Sequence, residues 1–530
     1  MAQVEGPVSF VLPSDVGIDA VIEALGRDVE VVADGIASTD RVYLDTFDGR
    51  VDGSGLTLWR SPSTAKDPTV RLTLEDRAGA TRSVIASPSR PDRVLALEVE
   101  EEASRDRLES VVGERALIGQ VRVRSRVRRL AVCDAEGKTV TRVAIEDPTV
   151  VLPKRGSVAL ERRLHVVAVL GYGRAFSRVL EELTGKIGLR RAAAPLADEA
   201  KIAAGVPVGG VSSKVDVELD PGMRADHASA LICRRLARTV EANLPGTLAD
   251  VDPEFLHDLR VAVRRTRSVL KEMKHVLPPE ETARARADLR WIQEITGSTR
   301  DLDVQLQAWP VMVSTVTPAL AIDLPPLRDL LERHRAAAFV RMRRYLQGAR
   351  FKKAWASWWD FLDGPFVGQA TVGTPIAEVA GHRIAAVYKT MVNSGAAIDD
   401  KAPPEALHDL RKRGKELRYL LELFGGLWPS DTVKPLVSTL KDLQDVLGRF
   451  QDDEVQTVYL RQLGPELAAL PGGTDSLIAL GLVIDDLASD QQRAREEFAK
   501  NFAPFAAADT RNLVRATFGR RAARASRSSR

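Results

Sequence analysis

HDLRVAVRRTRSVL at His257–Leu270 returns as HDLRKRGKELRYLL at His408–Leu421, and the offset of 151 residues between them decides the fold of the second half of the chain. The same offset lays LRWIQEITGSTRDLDV at Leu289–Val304 on LKDLQDVLGRFQDDEV at Leu440–Val455 without a gap, matching Gln293 to Gln444, Gly297 to Gly448 and Asp301 to Asp452. Upstream, Arg238 falls on Lys389. A register kept across separate apolar-periodic segments marks an internal duplication, so two related helical bundles are expected.

At 100° per residue, His257, Arg260, Arg264, Arg267 and Lys271 fall within an arc of roughly 80°, beside Leu256, Leu259, Val263 and Leu270. The second copy sets His408, Arg411, Lys415 and Arg418 beside Leu407, Leu410, Leu417 and Leu421. Stacked cations one turn apart repel, so a purely structural helix gains nothing from them, whereas an extended anion turns the repulsion into attraction. The alternative is a solvated face whose cations pair with local carboxylates such as Asp258, Glu272 and Asp409. Duplication of both the histidine and the cation positions favours the anion site. Capping or core roles remain open for the histidines, and a metal at either one is opposed by the surrounding arginines.

The 530 residues exceed one hydrophobic core, and 76 Lys plus Arg nearly cancel 73 Asp plus Glu, so only local clustering can name a partner. Cys133 and Cys233 lack C-x-x-C spacing and read as buried apolar residues. No secretory signature or membrane-length apolar run is present, so a cytoplasmic protein with no membrane partner is expected.

From residue 8 to about 150 the pattern alternates, in VSFVLP, DRVYLDTF, GLTLWRS, TVRLTLE, RVLALEVEEE and RLAVCDAEGKTVTRVAIED, with a last apolar strand at Leu164–Leu170. Helical spacing interrupts it at Val16–Gly26 and Tyr172–Ile187. An antiparallel α+β domain over 1–203, a Gly- and Val-rich linker at 204–217, an all-α domain over 218–510 and a basic, disordered tail at 511–530 ending RRAARASRSSR follow.

The two HDLR segments, STRDLDV and LQDVLGRFQDDEV closely resemble the CHAD family, the conserved-histidine α-helical domains. That resemblance implies two pseudo-symmetric four-helix bundles, a basic groove and binding of inorganic polyphosphate, on polyphosphate granules in some members. By position it points to His257, Arg260, Arg264, Arg267, His408, Arg411, Lys415 and Arg418, with Arg265, Lys271, Arg300 and Lys412 as secondary candidates.

VYLDTFDGRVDGSGLTLWR at Val42–Arg60, VRLTLE at Val70–Glu75, VRSRVRRLAV and the IED at Ile145–Asp147 resemble the CYTH domain, an antiparallel triphosphate tunnel barrel. In its catalytic members an E-x-E-x-K opening and later alternating glutamates hold a divalent metal. Here only Glu5 survives in the opening, Glu75 stands where a lysine is usual, and the last strand reads RRLHVVAVL. The resemblance therefore implies a degenerate, non-catalytic tunnel with no cofactor, in which Arg60, Arg71, Arg82, Arg126 and Arg128 line the interior. Glu98, Glu100, Glu146 and Asp147 leave open the competing reading, a Mg- or Mn-dependent triphosphatase or polyphosphatase. A third reading, nucleic-acid backbone binding, lacks stacking platforms: Tyr419 is the one aromatic interleaved on the basic faces.

Overall fold

A computed structural model describes residues 7–25, 29–61, 69–76, 81–153, 156–364, 373–399 and 401–519. The chain divides into two units, Met1–Ser212 and Ser213–Arg530.

In the first unit, period-two alternation produces β1 (Val8–Leu12), β2 (Glu30–Asp45), β3 (Leu56–Arg60), β4 (Val70–Asp76), β5 (Thr81–Ala86), β6 (Arg93–Val94), β7 (Leu117–Cys133), β8 (Thr139–Leu152), β9 (Gly156–Ala159), β10 (Arg162–Ala168) and β11 (Arg190–Arg191). They form one antiparallel sheet in the order β11-β1-β10-β8-β7-β2-β3-β4-β5, with β6 on β7 and β9 on β8. The helices are α1 (Ile18–Leu25), α2 (Arg50–Gly53), α3 (Glu102–Val112), α4 (Gly173–Gly185) and α5 (Leu196–Ala204). α1 and α4 answer the two helical stretches seen in the sequence; α3 and α5 do not. RVLALEVEEE, expected as one strand, pairs with β7 at Arg93–Val94 and again as a single bridge from Val99 to Ala86; between them Glu98 turns back to accept from the Leu95 and Ser89 amides, both at 2.8 Å, and closes a 3-10 turn.

The convex face of the sheet buries Phe10, Leu130, Ile145 and Leu164 beneath α1 and α4, and Leu58, Leu72 and Val84 beneath α3. The opposite, concave face carries Tyr43, Val121, Val123 and Val150, and α5 packs onto it through Leu196, Ala197 and Ala200. The segment read as a linker is partly fastened to this unit. Val211 N donates to Phe47 O at 2.9 Å, and a Cβ on Gly210 would lie 2.3 Å from the Gly49 nitrogen, a backbone approach only glycine permits.

The second unit is helical throughout: α6 (Ala225–Ala249), α7 (Pro253–Glu272), α8 (Pro279–Ile295), α9 (Gly297–Gln307), α10 (Trp309–Ser314), α11 (Pro318–Ala321), α12 (Pro325–Gln347), α13 (Ala349–Asp363), α14 (Ile376–Ala396), α15 (Pro404–Phe424), α16 (Ser430–Ala468), α17 (Gly473–Phe505) and α18 (Ala508–Phe518). α6, α7 and α8 begin 151 residues before α14, α15 and α16, so the duplication sets the helix starts. α7 is started by Pro253 and by the Asp252 carboxylate, which accepts from Glu254 N at 2.9 Å and Phe255 N at 3.2 Å.

Each hydrophobic core draws on both copies. One joins Leu259 and Val263 of α7 to Leu410 and Leu417 of α15. The other joins Leu327 and Leu331 of α12 to Leu460 of α16 and Leu480 of α17. The copies differ in continuity: the first breaks between α8 and α9 at Thr296–Gly297 and again between α9 and α10 at Ala308, while the second runs through the equivalent positions as a single α16. The boundary expected at 510 falls inside α18, whose Val514 and Phe518 are buried, and residues 520–530 of the expected tail lie outside the described residues.

Candidate polyanion-binding site

The apolar edge of α7 (Leu256, Leu259, Val263 and Leu270) is buried, so the neighbouring cationic edge is turned to one side. α8 and α15 flank it, and the three helices enclose a cavity of about 640 Å³ lined by Arg264, Arg267, Arg286, Arg290, Lys412 and Lys415, together with Lys271, Glu416 and Tyr419. Arg286 and Arg290 were not anticipated. They are an i,i+4 pair on α8; the counterpart of Arg286, 151 residues on, is Val437, while Arg290 repeats as Lys441 outside the HDLR segments.

Among the described residues, Arg264, Arg267, Arg286, Arg290 and Lys415 form no ion pair; Arg264 meets only the Tyr419 hydroxyl, Nη1 to Oη at 3.5 Å. Their crowding shows in the protonation energies. Burial, with Arg411 and Arg264 nearby, pushes the Lys415 ammonium down to about 8. Burial and the Arg290 and Arg286 guanidinia likewise depress Arg267. His257 is half-buried, and its burial and Arg300 lower its affinity for a proton.

Other expected ligands have structural partners. Arg260 is 9% exposed and its Nη1 donates to Gln293 O and Thr296 Oγ1, each at 2.7 Å, which ties α7 to the α8–α9 corner. Burial also lowers Arg260, to about 10. Arg265 pairs with Glu422 at 2.7 Å, Lys271 with Glu416 at 2.6 Å, and Arg300 lies 3.8 Å from Glu254. In the second copy Arg411 pairs with Asp452 at 2.7 Å, Lys412 with Asp409 at 3.1 Å and Arg418 with Glu422 at 2.6 Å. The two ladders are thus unequal: on the second, Arg411, Lys412 and Arg418 each meet a carboxylate and Lys415 does not. His408 stands apart, hydrogen-bonded through Nδ1 to Gln451 Oε1 in a separate cavity that no arginine or lysine lines.

In the sheet unit, strand parity corrects four of the five arginines expected to line the interior. Opposed residues share a face, so Tyr43, Arg41 and Thr39 on β2 mark the concave side with Val121, Val123 and Ser125 on β7, and Glu146 and His165 join them. Arg60, Arg82, Arg126 and Arg128 belong to the other face; Arg82 pairs there with Glu101. Arg71 alone shares the side of Arg41, through the register of β4 with Trp59. The concave side holds carboxylates as well. Glu146 is 3% exposed; burial opposes its charge, but the His165 hydrogen bond at 2.9 Å, Arg41 at 3.1 Å and Ser125 outweigh this and hold it at about 2. Glu75 is pushed up by burial despite the opposing influence of Arg41 and His165. Glu98 is spent on its turn, Glu100 accepts from Ser87 Oγ, and Asp147 pairs with Arg162. Among the described residues no group of three or more His, Cys, Asp or Glu is placed to hold a metal.

A sequence model of the CHAD domain family matches residues 231–461, from within α6 to within α16. Those residues are a CHAD domain. The CHAD domain therefore contains the whole α7–α8–α15 cavity. The preceding antiparallel sheet is consistent with a CYTH-like tunnel. Two uncharacterized proteins of Mycobacterium tuberculosis, from strains H37Rv and CDC 1551 / Oshkosh, are each 28% identical over 334 residues, 61% of this chain and 61% of theirs. The match thus spans less than two thirds of these relatives. Among solved structures, the CHAD domain from the plant Ricinus communis is 22% identical with a TM-score of 0.47, covering 56% of this chain and 96% of that one. PptA from Streptomyces chartreusis is 17% identical with a TM-score of 0.44, covering 53% and 99%. No helix among the described residues is long and apolar enough to cross a membrane.

Proposed function

We propose that the CHAD domain binds inorganic polyphosphate in the α7–α8–α15 cavity and does not transform it. The observation that carries this reading is the convergence of Arg264, Arg267, Arg286, Arg290 and Lys415 on one cavity with no ion pair among them in the described residues. Cations held this close raise the free energy of the empty protein, and a ligand carrying one negative charge per phosphate removes that repulsion while gaining charge-assisted hydrogen bonds. Guanidinia on α7 and α8 and ammonium groups on α15 suit a chain that presents oxygens on all sides, and release of its counterions adds to affinity. Granule association would follow from affinity for the polymer alone.

The test is a pull-down of the full chain on polyphosphate, RNA and heparin at matched charge. Retention by polyphosphate at salt that elutes the other two supports the reading. Equal elution from all three would reduce the cavity to a general polyanion surface.

A further inference from the structure

The duplication carries a chemical difference that points to a second ligand. In the first copy, two carboxylates have built-in cations: Arg300 lies 3.8 Å from Glu254, and Arg335 Nε donates to Asp303 at 2.8 Å. Moving 151 residues along, Glu254 becomes Glu405, Asp303 becomes Glu454, Arg300 becomes Gln451 and Arg335 becomes Asp486. The second copy keeps both acids and loses both guanidinia. Among the described residues neither Glu405 nor Glu454 has an ion pair.

These acids border a cavity of about 490 Å³ between α15 and α16, lined also by Pro404, His408, Gln451, Val455, Val458 and Tyr459. Val455 and Val458 are 55% and 52% exposed, an unusual apolar surface inside a charged cleft. Gln451 is 7% exposed and holds its amide between His408 Nδ1 and Glu454, 3.3 Å from Nε2 to Oε2, so one wall is already ordered.

We infer that this cavity binds a small organic cation, a guanidinium or alkylammonium compound whose charge meets Glu405 and Glu454 and whose alkyl part lies over Val455 and Val458. The ligand takes the place that Arg300 and Arg335 occupy in the first copy. An organic cation fits better than a bare metal ion, because half of the lining is apolar or amide and the carboxylates are separated by a helix–helix cleft.

The experiment is calorimetric titration of the full chain with n-butylguanidinium chloride, against potassium and magnesium chloride alone. Saturable binding of butylguanidinium, weakened about tenfold or more in Glu405→Gln/Glu454→Gln, is expected. Gln451→Arg, which restores the residue of the first copy, should abolish binding and leave the chain at least as thermally stable as the parent. Polyphosphate affinity should be unchanged in both variants, since neither touches the basic cavity, so failure here is distinguishable from failure of the polyphosphate reading. Heat no greater than with potassium chloride, or full binding by well-folded Gln451→Arg, would overturn the inference.

Discussion

Arg264 and Lys415 occupy equivalent positions of the two repeats, 151 residues apart, and they line the same cavity, where Arg264 is one of the charges that push Lys415 down to about 8. The duplication therefore does more than provide two ladders: it brings one cation of each into a single basin whose charge falls as pH rises through about 8.

Binding should accordingly take up a proton. A polyanion stabilises the Lys415 ammonium and raises its proton affinity, so this contribution is fully present below pH 8 and is lost as pH rises through the bound-state value. Kd for polyphosphate should rise about three- to tenfold between pH 7 and pH 9.5. In Lys415→Arg it should stay flat over that range. His257, lowered by burial and Arg300, should add affinity only as pH falls below the ordinary histidine value. A parent with no pH dependence above pH 7 would contradict the assignment.

The unequal ladders make a second prediction. Arg267→Ala and Arg290→Ala remove cations without carboxylate partners and should each weaken polyphosphate binding about tenfold. Arg411→Ala and Arg418→Ala remove cations already paired with Asp452 and Glu422 and should change Kd by less than about threefold. Fluorescence anisotropy with labelled polyphosphate distinguishes the two sets. Equal losses would restore the symmetric ladder.

Arg260 separates stability from binding. Arg260→Ala removes two hydrogen bonds, to the Gln293 carbonyl and the Thr296 hydroxyl at the α8–α9 corner, and should destabilise the helical unit by about 1–3 kcal/mol. A fall of a few degrees in Tm, read by circular dichroism, is expected. Unchanged Tm with lost affinity would return Arg260 to the ligand set.

The sequence exposed what repeats and what alternates. Offset pairing gave the helix starts of both copies, and period 3.6 put Arg264 and Arg267 on the face that becomes the cavity. It could not show which cations meet a carboxylate from another helix, as Arg411 does with Asp452 and Arg265 with Glu422, because those contacts depend on tertiary packing. Arg286 escaped because its repeat counterpart is Val437; Arg290 does repeat as Lys441 but lies outside the HDLR segments on which the ladders were read. In the sheet, strand alternation was legible but its inward parity was not; a one-residue difference turns Arg126 and Arg128 outward and Val127 inward.

The concave face also makes catalysis testable. Glu146 is engaged with Arg41 and His165, and α5 packs over Tyr43 and Val123, so the full chain should release phosphate from tripolyphosphate with magnesium or manganese no faster than buffer. Metal-dependent turnover in a malachite-green assay, lost in Glu146→Gln, would show that the tunnel is active.

The most direct test of the central claim is the salt dependence of polyphosphate affinity in the parent and in Arg267→Ala/Arg290→Ala. Counterion release makes log Kd climb linearly with log salt, by roughly 0.7 per phosphate neutralised on a single-stranded polyanion. With Arg264, Arg267, Arg286, Arg290 and Lys415 engaged, the parent slope should be about 3 to 4, and the double variant should lose about 1.4 of it along with its affinity. A double variant that keeps both the parent's slope and its Kd would mean that polyphosphate does not bind in the α7–α8–α15 cavity.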